Sequence, residues 1–113
     1  MKTKNKQLFA VQADVCKALA NAKRLEIIHL LAATERLSAT ELMGAMQMTK
    51  TNLSQHMRVL KQVGIVAGER EGTQVHYELA SPKIGAACEI LHDFLVERLE
   101  RNGALAAGKK RIV

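Results

Sequence analysis

Aromatic residues are nearly missing from this chain: Phe9, Tyr77 and Phe94 are the only three, and there is no tryptophan. Stacking platforms for single-stranded nucleic acid need several such rings, so that mode of binding is disfavoured. Cysteine is scarce as well. Cys16 and Cys88 are too few for a disulfide framework. No stretch approaches the roughly 18 consecutive apolar residues of a membrane span, and no N-terminal apolar run has signal-peptide length. A cytoplasmic protein with reduced thiols and no membrane partner is therefore expected. Nucleotide-binding glycine loops, an H-E-x-x-H motif and a plausible acid–base pair are all lacking, so neither an enzyme nor a cofactor is expected.

What the chain does have is positive charge. Its 17 Lys and Arg against 11 Asp and Glu leave a net charge of +6, which favours a polyanionic partner. With so few rings, the better use of that charge is groove binding on double-stranded DNA. The 113 residues, 48% of them apolar, suffice for one domain with a modest core, and a small core invites oligomerisation.

The most informative stretch is T-K-T-N-L-S-Q-H-M at Thr49–Met57, continuing through Leu60. Leu53, Met57 and Leu60 recur at helical spacing, so one face packs inward while Thr51, Asn52, Gln55 and His56 point outward. A buried stripe with short polar side chains opposite it is the layout of a helix that reads base edges. Thr49 is placed to cap this helix, and Gly64 to end it just past Val63. Upstream, Ser38 with Glu41 three residues on has the capping-box spacing and starts a helix over Ala39–Ala45, so the two helices form a helix-turn-helix.

The remaining elements follow from periodicity and punctuation. Residues 1–7 are polar and basic and predict a disordered arm; helical spacing then predicts Leu8–Ala20. Asn21 caps a second helix reaching about Ala33, and Thr34–Leu37 is a connection. Strand signals occur once: Ile65–Glu69, a turn at Arg70–Thr73, and Gln74–Leu79 with Val75, Tyr77 and Leu79 on one side. Such a hairpin must lean on the helices, and Arg70 beside Gly72 makes its tip a wing able to reach phosphate or the minor groove. Ser81 and Pro82 open a last helix in which Ile84, Ala87 or Cys88, Leu91, Phe94 or Leu95, and Leu99 form an apolar stripe too wide for a small monomer to cover. The stripe predicts a homodimer built on Leu8–Ala20 and Pro82–Leu99. The predicted organisation is thus a domain over 8–102, mainly α with a small β-hairpin wing, followed by a flexible basic tail over 103–113.

Three segments carry a resemblance: K-A-L-A-N-A-K-R-L-E-I-I at Lys17–Ile28, L-S-Q-H-M-R-V-L-K-Q-V-G-I-V at Leu53–Val66, and R-E-G-T-Q-V-H-Y-E-L at Arg70–Leu79. Together they make the chain similar to the ArsR/SmtB group of winged helix-turn-helix repressors, from about Leu8 to Leu99. The resemblance implies a homodimer on an imperfect inverted repeat that shuts off transcription until an inducer arrives. It places DNA contacts on Thr49, Lys50, Thr51, Asn52, Gln55 and His56, with Arg58 and Arg70 toward phosphate. Ala22 departs from the proline usual in the group, which removes a favourable first helical residue but leaves Asn21 as the cap.

Inducers in the group differ because their sites are grafted on one scaffold. Its cysteine pair entering the third helix is replaced here by S-A-T-E-L at Ser38–Leu42. The last helix offers Cys88, Glu89, His92, Asp93, Glu97 and Glu100 without the group's zinc-site order. Cys16 and Cys88 remain, on helices that pack together in the group's dimer. They suggest release from DNA on a sulfur or redox signal. Two alternatives stay open: a metal or metalloid sensor using Cys16 and Cys88 with His92, and a winged-helix DNA-binding or architectural protein with inert cysteines.

Overall fold

The computed structural model describes residues 2–103, and side chains from Asn5 onward. Its elements are α1 (Lys2–Leu19), α2 (Ala22–Thr34), β1 (Leu37–Ser38), α3 (Ala39–Met46), α4 (Lys50–Gln62), β2 (Val66–Glu71), β3 (Gln74–Leu79) and α5 (Pro82–Arg101). The order is helix, helix, helix-turn-helix, wing, helix, as predicted.

Local chemistry sets most boundaries. Asn21, in extended conformation, accepts from the Arg24 N–H at 3.1 Å and starts α2. Ser38 and Glu41 form the capping box in both directions: the Ser38 hydroxyl accepts from the Glu41 N–H at 3.0 Å, and the Glu41 carboxylate from the Ser38 N–H at 2.8 Å. Thr49 caps α4 by accepting from the Asn52 N–H at 3.1 Å. Ser81 caps α5, with Pro82 in its first turn. Gly64 follows α4 at φ 77°, a left-handed conformation that side chains resist.

Three expectations are corrected. The arm over residues 1–7 is helical from Lys2. Elongating a helix costs far less than nucleating one, and these residues include no proline or glycine to stop it. Arg70, expected in the turn, is the fifth residue of the strand β2 and pairs with Val75. The hairpin ladder runs on to Glu71↔Gln74, leaving only Gly72 and Thr73 to turn the chain. Thr34–Leu37, expected to be a connection throughout, is one only at Glu35 and Arg36: Thr34 ends α2, and Leu37 begins a two-residue strand, β1, that pairs antiparallel with β3 through Leu37↔Tyr77 and Ser38↔His76. The sheet order is β1-β3-β2, so the wing is stitched to the entrance of α3. Beyond Gly103, the tail expected over 103–113 lies outside the described residues.

The core joins all these elements except β1 and α5: Ala18 of α1, Ile27, Ile28 and Leu31 of α2, Leu42 and Met46 of α3, Leu53, Met57 and Leu60 of α4, then Ile65, Val66 and Tyr77. Each large side chain fully buried in this way contributes roughly 1.5–3 kcal/mol. Along α5, none of the residues is buried. Its Ile84 and Cys88 lean on the core, while Ile90, Leu91 and Phe94 stay exposed, as do Leu8, Phe9 and Val11 of α1.

Candidate nucleic-acid interface

The inward stripe of α4, Leu53, Met57 and Leu60, is 2% exposed or less, and this fixes the rotation of the helix. Lys50, Thr51, Asn52, Gln55 and Arg58 are then exposed. Thr49 is exposed too, although its hydroxyl already serves the cap. One turn of chain, Gln47–Thr49, separates α3 from α4, and Gln47 takes it in a left-handed conformation at φ 51° and ψ 54°.

His56 departs from the outward set. It is half-buried, and its Nδ1 lies 3.4 Å from Arg24 Nη1. Burial, then the nearby Arg24 and Lys23 cations, hold its pKa below the usual histidine value. Arg24 was not singled out as a site residue, although it stands inside the K-R-L segment. It also donates through Nε to the Ala18 carbonyl, tying the end of α1 to α4.

On the wing, Arg70 is exposed and flanked in sequence by Glu69 and Glu71. Their carboxylates are held by Arg36, at 3.1 and 3.0 Å respectively. The Arg36 guanidinium in turn keeps the Glu71 carboxyl below the usual carboxylate range. Such exposed pairs add little to stability. Their consequence is that the two wing carboxylates are partnered by a cation. Nothing in the local sequence signals this pairing, because Arg36 comes from the segment before β1.

Cys16 is exposed on α1, beside Phe9, Gln12, Ala13, Lys17 and Ala20. Cys88 is half-buried against the core, and burial pushes its thiol pKa up. Helix α1 packs chiefly on α2 and α4, whereas α5 packs on α2 and β3. Within the protomer, then, neither cysteine-bearing helix packs chiefly on the other. Among the described residues no group of three or more His, Cys, Asp or Glu is arranged to hold a metal ion, so Cys16, Cys88 and His92 form no such group within one protomer.

A small three-stranded wing folded against a helix-turn-helix, with an exposed polar face on its second helix, defines a winged helix-turn-helix regulator rather than an enzyme. Residues 21–67 match the family described as bacterial regulatory protein, arsR family. The transcriptional activator HlyU of Vibrio cholerae is 38% identical over 76 residues, 67% of this chain and 69% of that protein. An uncharacterised HTH-type transcriptional regulator of Mycobacterium tuberculosis is 30% identical over 92 residues, 81% of each chain. Among solved structures, the homodimeric winged helix-turn-helix DNA-binding domain of a possible ArsR-family regulator from Mycobacterium bovis aligns with a TM-score of 0.79 at 32% identity, covering 87% of this chain and 90% of that one. Reduced HlyU from Vibrio cholerae aligns with a TM-score of 0.71 at 32% identity, covering 80% and 95%. The chain belongs to the ArsR family and is a DNA-binding transcriptional regulator of that family. No helix among the described residues is long and apolar enough to cross a membrane.

Proposed function

We propose that the protein is a homodimeric, sequence-specific repressor that reads an inverted-repeat operator with α4 and leaves it on a sulfur or redox signal received at Cys16 and Cys88. The observation that carries the DNA reading is the two-faced α4, buried along Leu53, Met57 and Leu60 and open along Thr51, Asn52 and Gln55. Lys50, Arg58 and Arg70 supply exposed cations for phosphate. Dimerisation is supported by the bare apolar side chains of α1 and α5, with Phe9 68% and Ile90 70% exposed. A second protomer seated there would cover both helices.

The thiol switch rests on weaker geometry and requires that dimer. Within the protomer α1 and α5 pack chiefly on other elements, so the link between Cys16 and Cys88 would form across the interface, where the partner brings α1 and α5 together. Cys16 is the more accessible thiol, and burial, by raising the pKa of Cys88, lowers the thiolate fraction of that residue. A peroxide, reduced to water as it takes both thiol protons, would join them as a disulfide; two persulfide molecules would join them as a trisulfide, one sulfane sulfur entering the bridge, the other leaving reduced as hydrogen sulfide, and both carriers leaving as thiols; either link would change the angle between the recognition helices. The activator name of HlyU makes the sign of regulation a separate measurement.

Sedimentation of the untagged chain at low micromolar concentration should give twice the 12.4 kDa protomer mass. Titration of the upstream promoter DNA against salt-matched random duplex should then show selective binding, and a reporter should rise when the gene is deleted. A persistent monomer refutes the symmetric-operator reading. Cys16→Ser and Cys88→Ser proteins should each bind DNA yet keep their affinity after persulfide or peroxide treatment; a double variant that still dissociates shows the thiols to be structural.

A further inference from the structure

Arg24 and His56 stand 32 residues apart and meet between α2 and α4, with Arg24 Nη1 3.4 Å from His56 Nδ1. Arg24 is anchored on its other side, its Nε donating to the Ala18 carbonyl and its backbone N–H to Asn21 Oδ1. That anchoring aims the guanidinium at α4. A guanidinium has donors only and keeps its charge throughout the range in which proteins fold. The ring nitrogen facing it can serve only as an acceptor, because a proton on Nδ1 would meet both an N–H group and a positive charge. Neutral imidazole carries one N–H, which must then sit on Nε2. Among the described residues the one buried side-chain nitrogen or oxygen lacking a hydrogen-bond partner is His76 Nδ1. His56 Nε2 makes no hydrogen bond among the described residues and is absent from that buried set, so it opens to solvent, on the helix that also exposes Asn52 and Gln55.

We propose that Arg24 is a positioning residue that holds His56 as an Nε2–H donor, and that His56 thereby selects a base offering an acceptor in the major groove. Guanine N7 and O6, thymine O4 and adenine N7 fit such a donor, and the amino edge of cytosine does not. The inference rests on the reading of α4 as the base-reading helix. It goes further in naming the polarity of one contact: Asn52 and Gln55 carry both donors and acceptors and can turn either end to DNA, whereas His56 has its polarity set by the fold.

Two measurements on the full chain test it. Long-range imidazole ¹H–¹⁵N correlation at pH 7, with His56 assigned by the signals lost in His56→Gln, should show an unprotonated Nδ1 and a protonated Nε2. Arg24→Met should raise the population of the Nδ1–H form. A dominant Nδ1–H form in the wild type overturns the inference, and so does a tautomer balance indifferent to Arg24→Met. Selection from randomised half-sites supplies the second arm. The wild type should favour guanine, thymine or adenine over cytosine at one position per half-site, and His56→Gln, whose amide can turn either its donor or its acceptor to DNA, should admit cytosine there as well. His56→Glu, which has only acceptors, should lose that preference by about tenfold. A wild type that selects no sequence overturns both the base-reading assignment of α4 and this inference. Selection unchanged by His56→Glu overturns this inference alone.

Discussion

The two faces of α4 should come apart under mutation. Leu60 is 0% exposed and Gln55, five residues earlier on the same helix, is open to solvent. Truncating Leu60 to alanine loses the transfer free energy of its branched end and leaves a cavity in a core too small to collapse around it; the sum is about 3 kcal/mol. A domain of this size holds roughly 5–15 kcal/mol in all, so the variant still folds. With a urea dependence near 1.5 kcal/mol/M, its midpoint should fall by about 2 M at fixed protomer concentration, with the slope unchanged. In water its folded population is nearly complete, and affinity for operator DNA should stay within about twofold of the wild type. Gln55→Ala should behave in the opposite way. Its stability should stay within about 0.5 kcal/mol of the wild type, a midpoint change of about 0.3 M, while discrimination between operator and random duplex drops by about 1–3 kcal/mol. Parallel urea melts and fluorescence-anisotropy titrations measure both quantities on both proteins. A Leu60→Ala midpoint shift below about 0.5 M would refute the packing argument. Equal affinity losses on operator and random DNA for Gln55→Ala would show that the reading face lies elsewhere.

Other perturbations address the frame around that helix. A methyl group at Gly85 would sit 2.9 Å from Ala32 Cβ and 3.2 Å from Leu79 Cδ1; since the Ala32 methyl cannot swing away, Gly85→Ala should push α5 off α2 and cost about 1–3 kcal/mol by thermal melting, with an unchanged melt proving slack at that contact. Gln47→Gly should stabilise the protein by about 0.5–1 kcal/mol in the same assay, because the left-handed turn between α3 and α4 strains any residue with a Cβ; a loss would mean that the Gln47 side chain contributes more than the strain removes. The Glu41 carboxyl is held below its usual 4.5 by the Ser38 N–H and then the Ser38 hydroxyl, and Glu71 by Arg36. Lowered folded-state values contribute stability that is present above pH 4.5 and lost as pH falls through them, so melts should be flat just above that pH and decline below it. Glu41→Gln, which removes the carboxylate that accepts from both Ser38 groups, should weaken the Glu41 part of that decline, and an identical acid profile in the variant would exclude the capping box as its source.

Helix starts were legible because their causes are local. Asn21, Ser38, Thr49 and Ser81 each accept a backbone N–H two or three residues away, so a short window of sequence holds both partners. The inward stripe of α4 was legible for the same reason, since its period is a property of one helix. Leu8–Ala20 was drawn too short because polar residues give no periodic signal even when a helix carries them. On α5, the stripe through Ile84, Ala87 or Cys88, Leu91 and Phe94 or Leu95 omits Ile90; the structure sends Ile84 and Cys88 toward the core, while Ile90 stands exposed with Leu91 and Phe94.

By itself, then, the sequence determined the order of elements, the caps, the family and the polar content of α4. Only the tertiary structure decided which of those polar groups are free to act. Arg24 meets His56 across 32 residues and Arg36 meets Glu69 across 33, and β1 exists only because β3 lies beside it. The packing of α1, with Cys16, and of α5, with Cys88, chiefly on other elements of the protomer is of the same kind. Such contacts form when the packing of Leu53, Met57 and Leu60 sets the rotation of one helix against its neighbours, and no residue within a few positions of either partner encodes them.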